Sequence, residues 1–422
     1  MELLLLQLVV LFRPLASMKV LDAVFVPLGG GLFLLLVGAF LVRAAVHKDL
    51  RFNAVDAVIV AFTIWCLTVA LVYYESTRIG DVIKLLVPLL SYTIAKNIVS
   101  DRETYQRLMV WMFIGFLLPT LGSALLIAAN HPMALDMVNY WTNVPRWEGL
   151  YTHSHNLGHS MTLLLIVSII FVLLRGQRSE TAGFRNKAEN VLIAVLGMAA
   201  IYALYMSQVR SAVLGLLTFI AVFTFLYKKR LFLISAAALV ALAVVTLPYW
   251  FSAMFPELDM RKRGIEVSNM DLGSGRPRFW LNDVTVYAGL PLDQKLGGVG
   301  IGATRTADME LYGHNDWLSM LTQTGLVGLL LYLSLQVVIL RMIFKMHNGK
   351  ERAAFLAFFC AVNLMMLVSN SYAWRIQVSQ LYFIMLTFIE LRSRPAIAAG
   401  ALPAMEVSAQ RVLVGRVRHF GR

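Results

Sequence analysis

The chain has 422 residues, of which 59% are hydrophobic and 14% charged, with a formal charge of +13 and a mean hydropathy of +0.71. A soluble domain carries roughly 25% charged residues and lacks the interior to hide so much apolar surface, so a soluble enzyme is excluded. Cys66 and Cys360 both fall inside apolar stretches, which implies neither a disulfide framework nor a zinc site.

The apolar residues come in blocks of about 17 to 25, the length that crosses a hydrocarbon core as helix. They predict an all-α polytopic membrane protein of about twelve transmembrane helices, over 2–17, 20–42, 55–74, 80–98, 107–129, 158–174, 190–206, 211–227, 231–251, 315–341, 353–371 and 376–392. Arg13 and Pro14 interrupt the first block, which is kept as a span, the alternative being an uncleaved signal-like segment. Gly29, Gly30 and Gly31 in the second mark close packing or a kink. The chain then divides into helices one to nine over 1–251, a loop or lid subdomain over 252–314, helices ten to twelve over 315–392, and a basic tail over 393–422.

Positive charge orients the helices. Six basic clusters fall on one side of a twelve-span arrangement: Arg43 with Lys48 and Arg51; Arg102 with Arg107; Arg175 through Lys187; Lys228 to Arg230; Arg341 through Arg352; and the tail from Arg392. That side is expected to be the cytoplasm, with both termini inside and the tail at the anionic inner leaflet. The opposite face receives short links at about 75–79, 207–210 and 372–375, a medium loop over 130–157 and the long loop over 252–314.

The basic residues left on that outer face need another cause. Arg210 sits in a tight link, Ser207-Gln208-Val209-Arg210, with Ser211 placed to cap the following helix. A helix N-terminus offers free N–H groups and partial positive charge, so an arginine there makes an anion site suited to phosphate. Arg375 repeats the arrangement before the last span, and Asn156 and His314 stand before two other helices that start on this face. The expected guest is a diphosphate carried by a lipid; the bland alternative is that such arginines snorkel or pair with acids. His314 suits a general base, because cationic neighbours and the helix dipole favour neutral imidazole, although a polar cap is the plainer role for a histidine at a helix start. Asp316 is then its orienting partner or simply the cap. Lys84, inside the fourth span, either contacts phosphate or pairs with Asp81. Trp280 and Trp147 are the aromatics chosen to stack on sugar rings, the rest reading as an interfacial belt. Metal-dependent transfer needs grouped carboxylates, and neither the short outer links nor the scattered acids of the long loop supply a close pair, so no metal is expected.

Taken in order, Ser207-Gln208-Val209-Arg210-Ser211, Ser274-Gly275-Arg276 with Trp280, Gly298-Val299-Gly300-Ile301-Gly302, and Gly313-His314-Asn315 leading to Gly325-Leu326-Val327-Gly328 resemble the O-antigen ligase and polymerase superfamily. The likeness is strongest over about 200–335. It implies a GT-C-type, metal-independent glycosyltransferase of the bacterial inner membrane whose active site faces the periplasm, with no cofactor. It further implies a glycan donor on undecaprenyl diphosphate and, for a ligase, a lipid A-core acceptor; membrane lipids are the other partners, and nucleic acid is not one. Arg210 and Arg276 would hold the diphosphate and His314 would activate the acceptor hydroxyl. Arg146 and Gly149, followed by His155-Asn156, resemble an earlier outer-loop element, and Arg278 is a neighbour of Arg276 without the same spacing to Trp280. A polymerase, which takes a lipid-linked repeat unit as acceptor, shares these features. A polysaccharide or lipid transporter would instead line a central path with cations.

Overall fold

The computed structural model describes residues 1–47, 50–138, 145–175, 183–228, 230, 261, 264, 276–303, 315–369 and 375–393, the side chains of 183–186 excepted. Among them the chain is an all-α polytopic membrane protein. Its helices are α1 (Glu2–Leu15), α2 (Asp22–His47), α3 (Ala54–Val72), α4 (Ile79–Ile98), α5 (Arg102–Ala128), α6 (Ser154–Arg175), α7 (Gly183–Ser207), α8 (Arg210–Tyr227), α9 (Arg276–Gly289), α10 (Leu292–Gly297), α11 (Asp316–Phe344), α12 (Gly349–Val368) and α13 (Ile376–Ser393). A small antiparallel hairpin, β1 (Leu135–Val138) and β2 (Pro145–Trp147), interrupts them. Of the described helices, α2, α3, α5, α6, α7, α8, α11 and α12 are long and apolar enough to cross a membrane.

Eleven of the twelve expected segments are helices near their expected bounds; the ninth, 231–251, lies outside the described residues, as does the tail beyond Ser393. The first is the shortest: at 14 residues α1 rises about 21 Å, with Arg13 and Pro14 in its last turn. It packs on α5, where Gly115 leaves room for the Leu11 carbonyl, and links Glu2, paired with Arg43, to Lys19, paired with Glu148 beside the hairpin.

Two helices outside the apolar set, α4 and α13, pack against each other. The Gln380 amide donates to Ser91 Oγ at 2.9 Å, and the Tyr105 hydroxyl on α5 donates to the Met385 carbonyl at 2.9 Å. A helix enclosed by protein can carry polar groups that a lipid-facing helix cannot. The same enclosure holds for α6, which is buried along most of its length.

One end of the bundle is tied by acid–base pairs. The buried Lys96 ammonium meets the buried Asp56 carboxylate, which also accepts from the Thr93 hydroxyl at 2.9 Å. Glu351 takes a two-pronged contact from Arg392 at 2.6 and 3.0 Å and lies 3.6 Å from Arg102. Arg43 donates to Glu2 at 2.8 Å, and Arg102 also donates to the Leu174 carbonyl. Basic residues far apart in the chain thus gather at this end, as the charge pattern anticipates.

Candidate functional site

The other end is built on a broken helix. Within α11, Gly325 has φ +69° and ψ −176°, a conformation that only glycine adopts cheaply, and the break strips carbonyls of their intrahelical donors. Those carbonyls are taken up from outside. Val299 N–H donates to the Thr322 carbonyl at 3.0 Å and Gly300 N–H to that of Gln323 at 3.3 Å, while the Trp65 indole donates to that of Thr324 at 2.8 Å. Residues 297–302 therefore form a strap across the break. Gly298, Gly300 and Gly302 all hold positive φ, at 89°, 108° and 86°, and a Cβ on Gly298 would run into the Gln323 carbonyl. The strap is also sewn to the α3–α4 link: Ser76 Oγ donates to the Val299 carbonyl at 2.8 Å and Arg78 N–H to the Ile301 carbonyl at 2.8 Å. The glycine pattern noted in the sequence is thus a backbone requirement.

Around this frame the helix starts converge. Arg210 is the first residue of α8, entered through Gln208 at φ +52°. Ser211 does not cap that helix, as the sequence suggested; the N-cap is Val209 without a side-chain bond, and Ser211 Oγ instead pairs with His159 Nε2 at 3.1 Å. Arg276 opens α9, followed by Pro277, whose missing N–H costs nothing in a first turn. Trp280 and Asp283 follow at i+4 and i+7 on the same face, with Asp283 buried. Arg278 lies on a different face of α9, its guanidinium 6.0 Å from the Phe279 ring centroid.

Electrostatics links these arginines. Arg375, one residue before α13, is only 7% exposed; burial pulls its guanidinium down to about 10, with the Asp316 carboxylate opposing and the Arg276 charge adding to the shift. Burial also holds Arg146, on β2, below the ordinary arginine value, Asp136 opposing and Arg210 adding. The Arg276 charge thus bears on Arg375 and the Arg210 charge on Arg146, and the Arg210 turn meets β2 directly, Gln208 Nε2 donating to the Pro145 carbonyl at 3.1 Å. His159 of α6 is bonded to the residue after Arg210 and lies within the electrostatic reach of Arg375, His155 and Arg276. Among the described residues, the buried Arg375 Nε, Gln377 Nε2, Ser154 Oγ and Trp280 Nε1 have no hydrogen-bond partner. Unsatisfied buried polar atoms are rare unless a ligand or water completes them.

The remaining sequence candidates fall as follows. Asn156 lies in the first turn of α6 rather than before it, its amide donating to Thr152 Oγ1 at 2.7 Å. Lys84 makes the Asp81 pair at 2.9 Å, the structural alternative foreseen for it. Asn315, not Asp316, caps α11, its side chain accepting from Trp317 N–H at 2.9 Å and Leu318 N–H at 3.1 Å. His314 lies outside the described residues, immediately before that cap.

The sequence reading missed two features. One is His159, hidden in an apolar run but at i+4 from His155. The other is a meeting of Asp136, Glu148 and His153 in the medium loop, each offering a ligand atom within 4.8 Å of the others. These are the described residues best placed to hold a cation, but each has local company. Glu148 pairs with Lys19; Asp136 lies 3.6 Å from His153 and accepts from Ser154 N–H at 3.1 Å. The geometry is that of an ion-pair cluster anchoring the hairpin.

A family model described as O-antigen ligase matches residues 193–333. The matched stretch runs from α7 through Arg210, Arg276, the glycine strap and His314 to the broken α11, and it supports the O-antigen ligase and polymerase superfamily. No curated protein gives a match.

Proposed function

We propose, from the premise that the match over residues 193–333 supports the O-antigen ligase and polymerase superfamily, that the chain is an O-antigen ligase. It moves a glycan from undecaprenyl diphosphate to a sugar hydroxyl of lipid A-core on the periplasmic face of the inner membrane. The observation that carries this reading is the convergence of Arg210, Arg146, Arg276 and Arg375 at one end of the bundle, in two like-charged pairs joined through α6. Arg146 and Arg375 are held away from water, and a guest with two phosphates offsets the cost of burying their charge. Arg210 and Arg276 also start helices, whose free N–H groups favour the same anion.

In the reaction, the acceptor oxygen attacks the anomeric carbon as the bond from that carbon to the diphosphate oxygen breaks. The hydroxyl proton passes to His314, and undecaprenyl diphosphate leaves with its charge held by the arginines. One displacement inverts the anomeric centre. The diphosphate is already a good leaving group, so a base and a cationic cradle suffice without a metal. Arg146, Arg375 and Asn156 extend the donor site, Arg278 flanks it, and Trp280, on the Arg276 face of α9, stacks on a sugar ring, while Lys84 keeps its pair with Asp81. Both termini and the basic clusters lie on the cytoplasmic side. The long loop over 252–314, which carries Arg276 and His314 in sequence, serves as a lid.

The test is the surface glycolipid of a deletion strain complemented with the wild-type chain or His314→Ala. Uncapped core with accumulated lipid-linked polymer identifies a ligase, and core bearing single repeats identifies a polymerase. An unchanged glycan rejects both, and an active His314→Ala protein removes the base assignment.

A further inference from the structure

Donor arginines must meet a phosphate within a few tenths of an ångström to act in a transition state, and a side chain at a helix start is only as well placed as the turn that carries it. The turn carrying Arg210 is unusual. It has no side-chain cap and passes through a positive φ at Gln208, 52°, so it needs support from another element.

That support comes from one face of α6. Gly158 lets the turn approach closely, since a Cβ there would lie 2.8 Å from Val209 Cβ and 3.0 Å from Ser207 Oγ. Thr162 Oγ1 donates to the Ala212 carbonyl at 2.9 Å. Between them His159, which is 0% exposed, sets Nε2 3.1 Å from Ser211 Oγ. Residues 158, 159 and 162 thus grip Ser207 to Ala212 from both sides of Arg210. On its other side His159 lies within electrostatic reach of Arg276 and Arg375, and its ring stacks on that of His155 at 6.2 Å between centroids and 23°.

We infer that His159 is a positioning residue which, through Ser211, holds Arg210 in register with Arg276 and Arg375 so that the two arginine pairs act on one diphosphate. This rests on the function proposed above. An aliphatic side chain could fill the same volume, so a merely packing role would need no hydrogen bond to the residue beside Arg210.

The test uses the full-length protein in vesicles with a lipid-diphosphate glycan donor and a lipid A-core acceptor, and measures kcat and donor KM for Ser211→Ala, His159→Leu and His159→Gln. Ser211→Ala is a small change that keeps the fold, so it decides the matter should His159→Leu fail to assemble. The expected result is a fall in kcat of about tenfold or more for Ser211→Ala and His159→Leu with donor KM within about twofold, and recovery in His159→Gln, which restores a polar group at the same reach. In an Arg210→Lys background Ser211→Ala should cost less than about twofold more, because both changes act through one side chain. Unchanged kcat in Ser211→Ala, or losses that multiply in full with Arg210→Lys, would overturn the inference while leaving the diphosphate reading intact. Wild-type activity in Arg210→Ala would instead overturn the diphosphate reading, and this inference with it.

Discussion

The two ends of the bundle hold similar numbers of arginines and use them in opposite ways. At the Glu351 end several buried or half-buried cations are met by acids: Arg392 and Arg102 by Glu351, Arg43 by Glu2, Lys96 by Asp56. At the Arg210 end the arginines act on one another, Arg276 on Arg375 and Arg210 on Arg146, with Asp316 and Asp136 as partial counterweights. The first arrangement closes its own electrostatics and contributes to assembly. The second sets the buried Arg146 and Arg375 within reach of like charges, a setting that suits the anion site proposed above. A basic residue's place in a membrane protein therefore says less about its role than whether its neighbours carry the same sign.

The sharpest way to break this comparison is to remove one cation from each end. Alanine at Arg210, Arg276 or His314 should lower transfer by about 10²-fold or more, as expected for groups that meet charge in a transition state, with little change in melting temperature. Glu351→Gln should do the reverse, lowering the melting temperature in detergent while transfer per folded molecule stays near wild type. If Glu351→Gln abolishes transfer, or Arg210→Ala is silent, the two ends do not differ in kind.

The next effect is on stability alone. Lys96 and Asp56 are both buried, so Lys96→Met leaves a carboxylate without its partner and should cost about 3–5 kcal/mol, read as a large fall in melting temperature. Lys96→Met with Asp56→Asn should recover much of it. Smaller again is Gly325→Ala. It forces an L residue to φ +69° against the Leu296 carbonyl, for a cost on the order of 1–3 kcal/mol, and it should lower transfer too, since the strap leads toward His314. Gly38→Ala, with nothing near the added carbon, should be silent in both assays.

How far all this could be read from the chain follows from what each feature depends on. The helices were legible because an apolar run long enough to cross a bilayer is a local property, and eleven segments of twelve are helices whose ends fall at most seven residues from their expected bounds. Their roles were not, since hydropathy does not say which helix is enclosed: α4 and α13 carry polar residues because each faces the other, a relation 289 residues apart at Gln380 and Ser91. Arg210 was legible from a tight link and Arg375 from its place before a helix. His159 was not, because a histidine in an apolar run has no signal until Ser211 is beside it. Asp136 and Glu148 meet only because the hairpin folds back, so spacing along the chain hid them. The glycines of the strap were visible, but the carbonyls that require them appear only once α11 breaks.

The smallest expected effect sharpens the comparison from the acid side. Glu351 is a buried carboxylate with two arginines on it, whereas Asp283, buried on the Arg276 face of α9, has an Oδ1 with no hydrogen-bond partner among the described residues. Burial accordingly pushes its carboxyl up to about 6. A carboxyl whose pKa is raised on folding binds more protons folded than unfolded between its ordinary value and about 6, so its contribution to stability is lost as pH rises through that window and stays lost above it. Asp283→Asn removes the charge and should raise the melting temperature by a few degrees at pH 8, the gain shrinking toward zero near pH 4. A gain that persists at pH 4, or a loss at pH 8, would mean that Asp283 is paired like Glu351 and that the arginine end holds one more acid in its balance.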